Sequence, residues 1–262
     1  MGAIISLTDA QVIRWIGDYF WPFCRVGAFF LMVPIIGTRL VSVRIRLVLA
    51  LGITWVIAPT IHDIPDISPL SAHGIVLIAQ QLIIGFIMGF MVQVLFQICV
   101  VGGQMIAMQT GLGFATLVDP VNGINVASIS QLYLMSSNLI FLAFNGHIWL
   151  IKTLHSSFST LPVALNVIDV HSFYSLMSLG SWLFSSGLMV ALPAVTAILL
   201  VNLSFGIMTK VAPQMNIIAI GFPLVMVLGL VITWVSMVAY LPQFQWFTEQ
   251  TFTMIEKFLK LP

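Results

Sequence analysis

Few side chains in this chain could do chemistry, and they are scattered. Arg25, Asp119, His147 and His155 are the ionisable groups within or beside long apolar runs, and Cys24 and Cys99 are the two thiols. His147 and His155 could share a helix face and hold a metal, but FNGH ahead of the pair is turn-like and makes one continuous helix doubtful. The cysteines lack CxxC spacing and read as small buried hydrophobes. A proton-coupled carrier would bury a carboxylate at mid-membrane. Asp119 is the one position for it, and Pro120 beside it reads as an Asp-Pro turn instead. No HExxH, GxSxG, GxxxxGK[ST] or paired-carboxylate spacing occurs. The expectation is a protein that is not an enzyme and takes no cofactor and no metal. With no nucleotide motif, any work it does draws on partners or on the membrane potential.

Two further patterns are polar but not titratable. Gln93, Gln97 and Gln104 fall within one narrow arc at about 100° per residue, so they face other helices or a water-filled path rather than lipid. Arg25 lies deep in WPFCRVGAFFLMVP, where an unpaired charge at a bilayer centre costs about 3 kcal/mol or more. It either pairs with Asp18 or snorkels, or it meets a neighbouring subunit or wet cavity.

The elements that must position these groups are membrane helices. Of the 262 residues, 60% are hydrophobic and 6% charged, against about 25% charged in a soluble domain. The mean hydropathy is +1.11. No charge occurs between Asp66 and Asp119, Asp119 and Lys152, Asp169 and Lys210, or Lys210 and Glu249, and each gap holds a window of about 20 apolar residues. A net charge of +1, with no Lys or Arg in these gaps, argues against nucleic acid as a partner, since phosphate recognition needs clustered basic residues. The N-terminus lacks a basic region ahead of a cleavable apolar core, so the first span is expected to stay in the mature protein.

The fold expected is all-α and polytopic, with about six apolar segments in one integral-membrane domain over residues 1–262. The first helix runs from about Asp9 to Ile36, bent by Pro22 and Pro34. Arg39, Arg44 and Arg46 mark a boundary before a short run, 47–58. A third helix begins at about Ile75, with Gly85 and Gly89 spaced for close packing. A fourth segment runs from Ile124 to Ile151, and 152–172 form a loop. The fifth, Phe173 to Met208, would reach about 54 Å against a hydrocarbon core of about 30 Å, so it tilts, kinks at Pro193 or folds back. Lys210 begins a compact turn, KVAPQMNIIAIGFP, with Pro213 and Pro223 as kinks. The tail from Leu241 reads as an interfacial amphipathic helix.

Between the third and fourth segments lies GGQMIAMQTGLGFATLVDPVN, residues 102–122, with four glycines and no charge before Asp119. A solvated connection would be polar. An apolar, glycine-rich one is buried in protein or lines a cavity.

GLGFATLVDP, then NVASISQLYLMSSNLIFLAFNGHIWLI, Leu161-Pro162, ALPAV around Pro193 and APQMNIIAIGFPL at 212–224 occur in that order, after the WPFCRVGAFFLMVPIIG opening and its three arginines. Together they resemble the FliR family, the flagellar members of the type III secretion export gate. The resemblance implies kinked helix hairpins assembling with FliP- and FliQ-type subunits into a conical export channel in the bacterial inner membrane at the flagellar basal body. FlhB- and FlhA-type components, unfolded flagellar substrates and membrane lipid are the further partners it implies. It also implies a pore plug over 105–122, matched here by Gly111, Gly113, Phe114, Ala115, Thr116, Asp119 and Pro120. Pro213, Gln214, Gly221, Phe222 and Pro223 match a second motif, read as structural. A plug must seal against ions yet yield to a passing chain, and Met105, Met108, Leu112 and Phe114 among glycines suit that. The alternatives are the homologous injectisome subunit and a small-solute secondary transporter, which would show matching discontinuous helices around a buried charge.

Overall fold

The structure is a computed structural model that describes residues 9–38, 40–61, 64–65, 67–69, 71–114, 116–118, 125–164, 171–211 and 217–260. Helix α1 spans Asp9–Met32. It stops short of the expected Ile36 because the residue before Pro34 is driven out of the helical region. The N–H of Gly37 closes the following turn on the Val33 carbonyl at 2.6 Å.

Helix α2, Val43–Ile57, starts at Ser42, whose extended backbone and hydroxyl accepting from the Ile45 N–H form an N-cap. Arg46 donates to the carbonyls of Thr38 and Val41, tying down the approach to that helix. The arginine boundary is therefore a helix start, with Arg39 itself outside the described residues.

Helix α3 runs Ala72–Thr110 without interruption. Ser71 begins it three residues earlier than expected, its hydroxyl accepting from the Gly74 N–H at 3.0 Å. Its far end corrects the sequence reading more substantially. Gly102, Gly103, Met105 and Met108 are helical, not loop, and Gln104 lies on the same helix as Gln93 and Gln97. The two glycines reflect packing: a Cβ on Gly102 would come within 2.8 Å of the Val190 side chain, and one on Gly103 within 2.6 Å of the Ser130 Cα.

Helices α4 (Ser128–Ala143) and α5 (Gly146–Thr160) replace the single fourth segment. The break falls in the FNGH turn, where Asn145 takes φ 57°. The loop expected over 152–172 is half helix. SSFST looks like loop composition, but the hydroxyls of Ser156, Ser157, Ser159 and Thr160 bond carbonyls one turn back within the helix. Asp169 is outside the described residues.

Helix α6, His171–Val211, passes through Pro193 as one continuous helix, so it does not fold back. At 41 residues it is about 60 Å long. Helix α7, Ile217–Lys260, continues through Pro223 and Pro242. The tail is thus no separate interfacial helix. Its apolar side, Phe252, Ile255 and Leu259, is buried within the protein. Pro213 and Gln214 lie outside the described residues.

Four of the described helices are long and apolar enough to cross a membrane, or five if the broken α4–α5 pair is one span. Helix α1, with Asp18 and Arg25 along it, is not among them. The chain is an all-α polytopic membrane protein with one short exception. Strands β1 (Thr116–Val118) and β2 (Asn125–Ala127) pair antiparallel, with Leu117 opposite Val126.

The backbone groups into two compact units, residues 1–93 with 146–176 and 253–262, and residues 94–145 with 177–252. The first buries Trp21, Phe29, Phe30, Leu77, Ile84 and Phe158. In it α1 and α3 touch backbone to backbone, since a Cβ on Gly85 would land on the carbonyl oxygen of Arg25 and one on Gly89 within 2.7 Å of the Phe29 carbonyl. Gly85→Val is expected to cost about 1–3 kcal/mol by overpacking. A thermal midpoint in detergent equal to that of the unsubstituted protein would contradict so close an approach.

The second unit is built on rings. Phe96 of α3 meets Phe141 of α4 edge-on at 5.3 Å and Phe244 of α7 at 6.1 Å.

Candidate functional site

Arg25 is fully buried, and the structure replaces all the surroundings expected for it. Its Nε donates to Gln81 Oε1 at 2.8 Å, and its two terminal nitrogens donate to the carbonyls of Ser157 and Leu161, each at 2.8 Å. The Ser157 hydroxyl lies 3.1 Å away, and the Phe158 ring sits under the guanidinium at 4.3 Å. The partners lie on α3 and at the end of α5, not on Asp18 and not in a wet passage. A fork of donors here closes the C-terminus of α5, where helix carbonyls lack partners and a cation is favoured. Gln81 was missed from the sequence. The Gln80-Gln81 pair in an otherwise apolar run, with Gln81 one turn before the Gly85 packing site, was the signal.

Helix α3 is unbroken through Gln93, Gln97 and Gln104, all three half-buried. A different polar set binds the helices of the second unit. The rings of Tyr133 (α4) and Tyr240 (α7) meet edge-on at 4.9 Å, and Ser137 shares a hydrogen bond with the Tyr240 hydroxyl. The Tyr133 hydroxyl reaches Ser236 at 3.3 Å. Each partner pair is one helical turn apart, Tyr133 with Ser137 and Ser236 with Tyr240, a spacing visible in the sequence that goes with one shared face.

His147 and His155 are exposed on α5, and His155 Nε2 lies 2.9 Å from the Thr60 hydroxyl. Among the described residues no three His, Cys, Asp or Glu gather to hold a metal.

The stretch from Met105 to Val118 frames the end of α3. Ile106, Ala107 and Thr110 are fully buried, Met105 is half-buried, and Met108 is 76% exposed. Gly111 then turns the chain at φ 76°, a conformation that strains any residue with a Cβ. Leu112, Gly113 and Phe114 form a short 3-10 turn, and Thr116 opens β1. β2 returns antiparallel into α4, with Val126 and Ala127 buried, and α4 packs on both the turn and β1. Ala115, Asp119 and Pro120 lie outside the described residues. An apolar chain that leaves a helix at a glycine and doubles back as a two-stranded arm is what this sequence places between α3 and α4.

The family model of bacterial export proteins, family 1, matches residues 16–251. The chain belongs to that family. A flagellar biosynthetic protein FliR from Escherichia coli (strain K12) is 38% identical over 252 residues, 96% of this chain and 95% of the relative. A FliR from Pectobacterium carotovorum subsp. carotovorum is 35% identical over 228 residues, 87% of each. The surface presentation of antigens protein SpaR of Shigella sonnei is 23% identical over 231 residues, 86% of this chain and 87% of the relative.

Proposed function

We propose that this chain is a non-enzymatic subunit of the flagellar type III protein export channel, and that 105–122 is a plug closing the passage. It would act as one integral-membrane domain in the inner membrane at the flagellar basal body. FliP- and FliQ-type subunits would be its neighbours, with FlhB- and FlhA-type components nearby and unfolded flagellar proteins as cargo. The observation that carries this reading is the apolar arm that leaves α3 at Gly111 and returns as β2, beside an exposed Met108. Soft thioether and aliphatic side chains on a glycine pivot seal by dewetting and give way under a passing chain. Gln93, Gln97 and Gln104 on α3 would face helices or the wet path.

Much of α6 and of α7 before Tyr240 remains exposed and apolar within this one chain, as lipid or neighbouring membrane subunits require. Purification through an affinity tag in mild detergent from flagellated cells is expected to bring FliP- and FliQ-type subunits with it. Recovery of the chain by itself would favour a solute carrier and count against the reading.

A further inference from the structure

The upstream end of the arm does not hang free; it rests on α7. Thr110 is fully buried, its hydroxyl donating to the Ala107 carbonyl at 3.0 Å and accepting from the Leu112 N–H at 3.4 Å. Its methyl fills the notch left by a missing side chain on α7, since a Cβ on Gly229 would come within 2.5 Å of Thr110 Cγ2. One residue on, Gly111 faces the Phe222 ring so closely that a Cβ there would meet Cε2 at 2.8 Å. The two contacts differ in kind. Thr110 and Gly229 are locked and buried, whereas Phe222 is 51% exposed and loses little on parting from Gly111.

We infer that the first turns of α7 are the seat of the plug, with Thr110 on Gly229 as its fixed side and Phe222 as the rest from which the arm lifts about Gly111. This deepens the plug reading and rests on it. It gives the GFP turn of α7 a task in sealing beyond shaping a helix start. Phe222 and Gly229 are positioning residues in this account, because they act through where they hold the arm.

The test is ion leak through the reconstituted export complex, with complex yield read alongside. Phe222→Ala is expected to raise leak several-fold, and Phe222→Leu, which keeps an apolar rest, to stay near the unsubstituted value. Gly229→Ala, whose Cβ displaces Thr110, is also expected to leak. Adding Thr110→Ser removes the methyl, the closest of the conflicting atoms, and leaves the Cβ at 2.9 Å, so it should restore part of the seal, a rescue that a general loss of packing would not show. If Phe222→Ala and Gly229→Ala both seal like the unsubstituted complex while deletion of Leu112–Val118 leaks, the seat is overturned and the plug stands. If that deletion does not leak, both fall. Should Phe222→Ala fail to assemble, the Gly229→Ala and Thr110→Ser pair decides alone: leak that the second change does not lower overturns the seat.

Discussion

Arg25→Met is expected to lower the stability of the protein by about 3 kcal/mol, the largest effect of any single substitution outside the aromatic core. The guanidinium makes charge-assisted bonds to Gln81 and to the Ser157 and Leu161 carbonyls, each worth about 1.5–3 kcal/mol. Against that stands the cost of desolvating a cation, which often cancels the gain when an ionic group is exchanged for an apolar one of similar volume. Here it does not cancel. Methionine would leave Gln81, whose Nε2 already lacks a partner, with its oxygen orphaned as well, and the Leu161 carbonyl would lose its donor. Each buried group left unpaired costs about 1–3 kcal/mol.

Gln81→Leu in the Arg25→Met background removes the orphaned amide and is expected to recover part of the loss, a coupling that a double-mutant cycle measures. Arg25→Lys should fall between, because one ammonium cannot span three acceptors in a fork. Hydrogen exchange reports the same event locally, with faster exchange of amides at the end of α5. A methionine variant within about 0.5 kcal/mol of the unsubstituted protein would mean that desolvation offsets the bonds.

How much of this was legible in the sequence differs from element to element. Charge-free windows gave the apolar helices and FNGH a real break, whereas Pro34, read as a bend, follows the end of α1. Helix lengths were harder. Glycine was read as loop at Gly102 and Gly103, where it makes room for Val190 and Ser130, an identity that only the tertiary neighbours supply. The loop expected over 152–172 took in SSFST, where serine bonds its own helix. Pro193 left tilt, kink or fold-back open, and one long helix runs through it.

The arm between α3 and α4 was visible as an apolar, glycine-rich stretch, but its strand pairing was not, since three-residue strands carry no usable periodicity. Arg25 drew attention for what it costs. What stabilises it is Gln81 and two backbone carbonyls more than a hundred residues away, and carbonyls have no signature in a sequence.

Removing residues Leu112–Val118 should have the largest functional effect. The cut begins after Thr110 and Gly111, so the buried end of α3 and its contact with Gly229 are retained. It ends before β2, so the buried pair Val126 and Ala127 can still lead into α4. Losses in assembly should therefore be small, and the change should appear in the closed state. A dry constriction bars ions because wetting it is unfavourable. Without the apolar arm that barrier is gone, and the leak is expected to rise tenfold or more. Conductance of the purified complex in planar bilayers, with no substrate present, measures this directly. Long open events in the deleted complex against a silent intact one are the predicted result; the same silence in both would contradict the claim that this arm closes the passage.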